Sequence, residues 1–256
     1  MQRRRRNDPG GTMTVVEHLG ELRNRLMISL GAFLLISIVA FILYEPLFDF
    51  IRKPYCDLPR DLQGPQGCDL VFQKAMGGFL FRLKLTALAG IIFTSPVWLY
   101  QIFAFVTPGL TSKEKRYALP FVLCSVVLFA IGASVAYLTL PTGLRILITI
   151  GGEGLVPLLG AEEFLNFVGL MFLGFGLMFE IPLVLFFLGL AEVITIDTLR
   201  RQRKVAMVSI VALAAVVTPS QDPYTLLALS VPLYALYELT IVLLRITLRR
   251  RRRSQQ

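Results

Sequence analysis

The chain has 256 residues, of which 55% are hydrophobic and 17% charged, with a mean hydropathy of +0.67 and a formal net charge of +9. Apolar content this high with so little charge excludes an ordinary soluble domain and points to a polytopic membrane protein. The excess of 26 Lys and Arg over 17 Asp and Glu does not read as a nucleic-acid footprint, because the basic residues fall between the apolar runs and at both ends.

Residues 1–13, with four consecutive arginines from Arg3 to Arg6, read as a flexible basic tail, and Met13 is an alternative start. The first long apolar run, about Leu26 to Tyr44, is longer than a secretory h-region and has no small-residue cleavage site, so it is expected to stay as a span. Before it, TVVEHLGELRNRL from Thr14 reads as an amphipathic helix. Thr14 and Glu17 have capping-box spacing. Val15, Leu19, Leu22 and Leu26 share one face, and Glu17, His18, Glu21, Asn24 and Arg25 share the other. Arg23 falls near the apolar stripe and is expected to snorkel. The helix is expected to lie at the cytoplasmic interface before turning into span one. The plain reading of Glu21 is an i,i+4 pair with Arg25, worth a few tenths of a kcal/mol. That pair leaves unexplained why two acids and the only histidine share one face in a basic region.

Hydropathy windows give six spans, at about 25–44, 80–105, 118–140, 164–190, 205–218 and 224–244. Lys and Arg number six through Arg25, three in 106–117, four in 191–204 and six in the C-terminal tail, nineteen in all. The alternate side holds seven at most, counting Arg82 and Lys84. This asymmetry puts both termini in the cytoplasm. Span five has only 14 residues between Lys204 and Pro219, a rise of about 21 Å against a hydrocarbon core of about 30 Å. Short spans beside a tilted fourth one predict a cupped body. The expected fold is thus an all-α integral membrane protein with six transmembrane helices, both ends inside. One domain runs over 14–244, followed by a basic tail over 245–256.

Ionisable groups in or beside the spans are the candidate functional positions. Glu180 lies near the bilayer midplane in FLGFGLMFEIPLVLFFLGL, two residues before Pro182. Glu114 stands between Lys113 and Lys115 in the loop after span two, and a solvated face explains it as well as a binding role does. Asp222 sits between Pro219 and Pro223, where capping of span six is the plain role. Cys56 and Cys68 share the first outer loop, on the oxidising side, and are expected to form a disulfide worth about 3 kcal/mol at most; two free thiols are the alternative. One histidine with no cysteine nearby makes a poor metal site. No phosphate-binding G-x-x-x-x-G-K-[ST] run and no H-E-x-x-H pair occurs. A proton-coupled small-solute transporter or channel is the main rival from another class, drawing on Glu180 alone.

EHLGELRNRL, SPVWLYQIFAFVTPGLTSKEKR, FGLMFEIPLV and TPSQDPYTLLALSVPLYALYE, in that order, resemble the TatC family, the multispanning core of the twin-arginine protein translocase. The resemblance covers about residues 14 to 244. It implies a receptor for paired-arginine signal peptides on folded precursor proteins, driven by the proton-motive force, with no enzyme activity and no cofactor. Implied partners are TatA-type and TatB-type single-span subunits, precursor proteins, the lipid bilayer and further copies of the chain, with no nucleic acid. Carried over residue by residue, the signal-binding acids match Glu21 and Glu114, and the supporting surface matches Arg23, Phe105 and Pro108. The intramembrane partner site matches Glu180, and the outer-face positions match Asp222 and Pro54. Leu226 stands near a position where the family commonly has glutamine. Two guanidiniums are planar, permanently charged forks whose best partners are carboxylates, so two acids on rigid elements suit an arginine pair and suit lysines poorly.

Overall fold

The computed structural model describes residues 15–72, 74–106, 118–150, 158–218 and 222–253. The described residues form α1 (Val15–Ile42), α2 (Tyr44–Cys56), a 3₁₀ turn (Arg60–Leu62), α3 (Gly77–Phe93), α4 (Ser95–Val106), α5 (Ala118–Thr149), α6 (Ala161–Leu190), α7 (Ile196–Arg201), α8 (Arg203–Val217) and α9 (Pro223–Arg253). There are no strands among them, only isolated bridges. In lipid every backbone polar group must be satisfied within the chain, and long apolar helices do this locally.

Four of these helices are long and apolar enough to cross a membrane: Val16–Ile42, Pro120–Thr149, Ala161–Leu190 and Pro223–Arg249. The fifth candidate is α3 with α4, bent by 53° at Thr94. Span two, expected as one helix over 80–105, is therefore broken. Pro96 has no N–H to give to the preceding turn, and the Thr94 hydroxyl turns back onto the Gly90 carbonyl at 2.6 Å. The segment expected as span five, α8, has 15 residues, about 22 Å of helix, and falls short of a full crossing by length.

The amphipathic N-terminal helix and span one are a single helix, with no turn between them. No proline interrupts residues 15–42, so the hydrogen-bond ladder runs on. The apolar stripe of that helix, including Leu19, Leu22 and Leu26, is exposed, as lipid-facing positions should be.

The centre of the bundle is α6, which packs against α3, α5, α8 and α9. Phe164, Met171, Phe175 and Phe179 on it are fully buried. At its crossing with α5 the backbones nearly touch: a Cβ added to Gly132 would lie 2.6 Å from the Phe175 carbonyl oxygen. A second, smaller core of Leu199, Tyr237, Ile241 and Leu244 joins α7 to α9.

The segment between α2 and α3 is tied down by a disulfide and by a bridge to the start of α6, and an ion pair joins α3 to α6. Cys56 and Cys68 form a disulfide with Cα atoms 4.8 Å apart. Val71 bridges to the start of α6, its N–H donating to Leu159 O at 3.1 Å and its carbonyl accepting from Ala161 N at 2.8 Å. Lys84 on α3 forms an ion pair with Glu162 on α6.

Candidate functional site

The first turns of α1 meet the C-terminal half of α4, and the contact is polar and aromatic. His18 stacks on Phe105 with ring centroids 4.3 Å apart and planes 15° from parallel. Two turns on from His18, Arg25 donates to Glu21 Oε1 from Nε at 3.0 Å and from Nη2 at 2.5 Å. Its remaining nitrogen, Nη1, donates across the interface to Gln101 Oε1 at 3.1 Å. Both members of the ion pair are about four-fifths buried. Glu21 Oε2 is buried and receives no hydrogen bond. The i,i+4 pair expected from the sequence does form. It engages one carboxylate oxygen and leaves the second with acceptor capacity in a place where water is scarce, which is unfavourable unless a donor arrives.

Of the other residues assigned to recognition, Arg23 is exposed on α1. Glu114, Pro108 and the proposed cap Thr14 lie outside the described residues. Glu21 and Phe105 thus lie at the same contact between α1 and α4. Sequence reasoning missed Gln101. Its signal was a single amide inside the apolar run SPVWLYQIFAFV, where an uncompensated polar group is costly.

Glu180 forms a separate site inside the bundle. Ser125 on α5 donates to Glu180 Oε2 at 2.6 Å, and Oε1 is buried with no hydrogen bond. Two residues further, Thr240 of α9 donates to the Pro182 carbonyl at 3.1 Å, bracing the helix where proline supplies no N–H. Ser125 too was missed, being a small polar residue in an otherwise apolar run.

On the opposite side, Asp222 is buried at the head of α9. Its Oδ1 accepts from Thr225 N at 2.8 Å, its Oδ2 accepts from the Thr225 hydroxyl, and its carbonyl accepts from Leu226 N at 3.0 Å. This is N-cap geometry, the plain role expected for it. Pro54 is buried inside α2, next to Tyr55, which is 1% exposed. Glu238, on α9, accepts from Arg203 of α8 at 2.6 Å and from Tyr234 at 3.2 Å, so it fastens the short helix to the long one. No cluster of three potential metal ligands exists among the described residues.

Residues 17–232 match the family model described as Sec-independent protein translocase protein (TatC). The chain is 45% identical over 247 residues to the Sec-independent protein translocase protein TatC of Frankia casuarinae, with 94% of this chain and 68% of that one covered. It is 35% identical to the TatC of Corynebacterium kroppenstedtii, with 98% of this chain and 66% of that one covered. It thus spans about two thirds of the length of these two relatives. The TatC of Aquifex aeolicus is 34% identical over 95% of this chain and is covered along its entire length. The fold superimposes on a crystal structure of the twin arginine translocase receptor TatC with a TM-score of 0.72, at 34% identity, covering 88% of this chain and 98% of that one. A match over most of the chain, in sequence and in fold, makes this protein a member of the TatC family of Sec-independent protein translocase proteins.

Proposed function

We propose that this protein is the signal-reading core subunit of a twin-arginine translocase in the cytoplasmic membrane, exporting folded precursors with the proton-motive force. Its six spans are α1, the bent pair α3–α4, α5, α6, the short α8 and α9, with both termini in the cytoplasm. The Lys and Arg asymmetry of the connections supports that orientation. The length of α8 fits a bilayer thinned locally beside a longer α6.

The observation that carries the recognition role is the Glu21 carboxylate, held between α1 and α4 with one buried oxygen that receives no hydrogen bond. A guanidinium is the donor best suited to a half-used carboxylate, because it is always charged and offers paired N–H groups. Glu21 takes one arginine of the signal and Glu114 the other, with Arg23, Phe105 and Pro108 forming the surrounding surface. Glu180 meets a polar residue of a TatA-type or TatB-type span, and Asp222 and Pro54 shape the outer face. The assembly includes more than one copy of this chain.

The test is photocrosslinking of a twin-arginine peptide, and of its twin-lysine counterpart, to Glu21→Ala and Glu114→Ala variants in membranes. Each variant is expected to lose the preference for arginine. Unchanged discrimination in both would overturn the assignment.

A further inference from the structure

The geometry of the Glu21 site points to Gln101 as a positioning residue, which we infer holds Arg25 end-on against Glu21 so that Oε2 is left without a donor until a signal guanidinium is bound. The inference rests on the reading of Glu21 as a signal-arginine receptor.

Arg25 has three donor nitrogens on its guanidinium. Two of them, Nε and Nη2, converge on the single oxygen Oε1 of Glu21, and the third is claimed by Gln101. The preferred arginine–carboxylate pair is different: two parallel N–H bonds run to two oxygens. Nothing on α1 alone prevents that arrangement, because residues four apart in a helix sit one above the other with ample reach. The constraint comes from α4. Gln101 lies 76 residues further along the chain, and its carbonyl oxygen holds Nη1 at 3.1 Å. The guanidinium is planar and rigid, so fixing one corner fixes the direction of the other two. The His18–Phe105 stack, four residues on from Gln101 along α4, fixes the spacing of the two helices.

Arg25 therefore plays two parts. It holds the Glu21 side chain in place, and it is a built-in competitor of the same chemical kind as the ligand. If it took both oxygens, a signal arginine would have to displace a complete bidentate pair. With Gln101 holding it to one oxygen, the arriving guanidinium meets a buried acceptor with no donor. A lysine ammonium brings no fork with which to extend from Oε2 toward Oε1, so the same arrangement favours arginine over lysine.

The experiment measures equilibrium binding of a labelled twin-arginine peptide and its twin-lysine counterpart to the purified full-length protein in detergent. Gln101→Leu removes the acceptor and is expected to weaken twin-arginine binding about tenfold. Gln101→Glu keeps an acceptor for Nη1 and is expected to bind like the parent. In an Arg25→Met background, Gln101→Leu is expected to have no further effect, because the amide acts only through Arg25; a general structural role would persist there. Gln101→Met serves as a second apolar variant, so that a folding defect peculiar to one side chain does not decide the result. Unchanged binding in both apolar variants, or an equal loss with and without Arg25, would overturn the inference. Glu21→Gln is measured alongside. If it abolishes the arginine preference while Gln101→Leu is silent, the positioning role alone fails. If Glu21→Gln is itself silent, the recognition reading fails and the inference with it.

Discussion

Alanine at Gly132 should strain the crossing of α5 and α6, where backbone meets backbone. Its Cβ would stand 2.6 Å from the Phe175 carbonyl oxygen and 3.0 Å from the Gly176 Cα. Ordinary contact between heavy atoms is about 3.5 Å or more, so the helices would have to separate by roughly 0.5–1 Å. No rotamer change relieves the clash, because the opposing atoms belong to a helix backbone in a close-packed interior. Overpacking of this kind costs about 1–3 kcal/mol. The only tryptophan, Trp98, stands edge-on to Phe129 at 5.7 Å, one turn from Gly132, so its fluorescence reports on this crossing. The assay is unfolding of the detergent-solubilised protein by a denaturing detergent, followed by that fluorescence. Gly176→Ala is the informative partner, since its Cβ would meet the Phe129 ring at 2.6 Å, a side chain that can shift. It should be the milder of the two. Gly20→Ala, with nothing within 4 Å of the added Cβ, should be neutral or stabilising, by up to about 1 kcal/mol. If Gly132→Ala unfolded with the parent protein, within about 0.5 kcal/mol, the close approach of the two helices would be refuted.

Glu180→Gln should leave twin-arginine peptide binding intact and lower transport or partner assembly; loss of peptide binding would contradict the division of roles between the Glu21 and Glu114 acids and Glu180. Asp222→Ala should lower stability by about 0.5–2 kcal/mol in the same denaturation assay, with Asp222→Asn closer to the parent, because the carboxylate caps α9 through Thr225. Alkylation without reductant followed by intact-mass measurement should find one reactive thiol, Cys124, and modification of all three cysteines would show Cys56 and Cys68 unbridged.

The helical, membrane-embedded character of the fold was legible because apolar runs of span length are the strongest periodicity-free signal a sequence carries. What hydropathy windows could not resolve was the path of the backbone inside a run. Span two reads as continuous apolar chain, yet Thr94 and Pro96 bend it by 53°, and composition averages over both residues. The reverse happened at Leu26, where an amphipathic segment and a span look like two elements and form one helix, because nothing there interrupts the ladder. At the site, the helical register of EHLGELRNR put His18, Glu21 and Arg25 on one face, and all three do lie against α4 or one another. Gln101 and Ser125 were not legible, because each matters through a partner 55 or more residues away. Asp222 shows the opposite limit: its cap contacts lie within four residues, and its plain role could be read locally.

The central claim is that Glu21 reads an arginine of the signal. Its most direct measurement is equilibrium binding of twin-arginine and twin-lysine peptides to the purified protein and to Glu21→Gln. Arginine is expected to be preferred by about tenfold or more in the parent, and the preference is expected to disappear in the variant. Equal affinities of the two peptides for the parent protein, or a preference that survives Glu21→Gln, would contradict it.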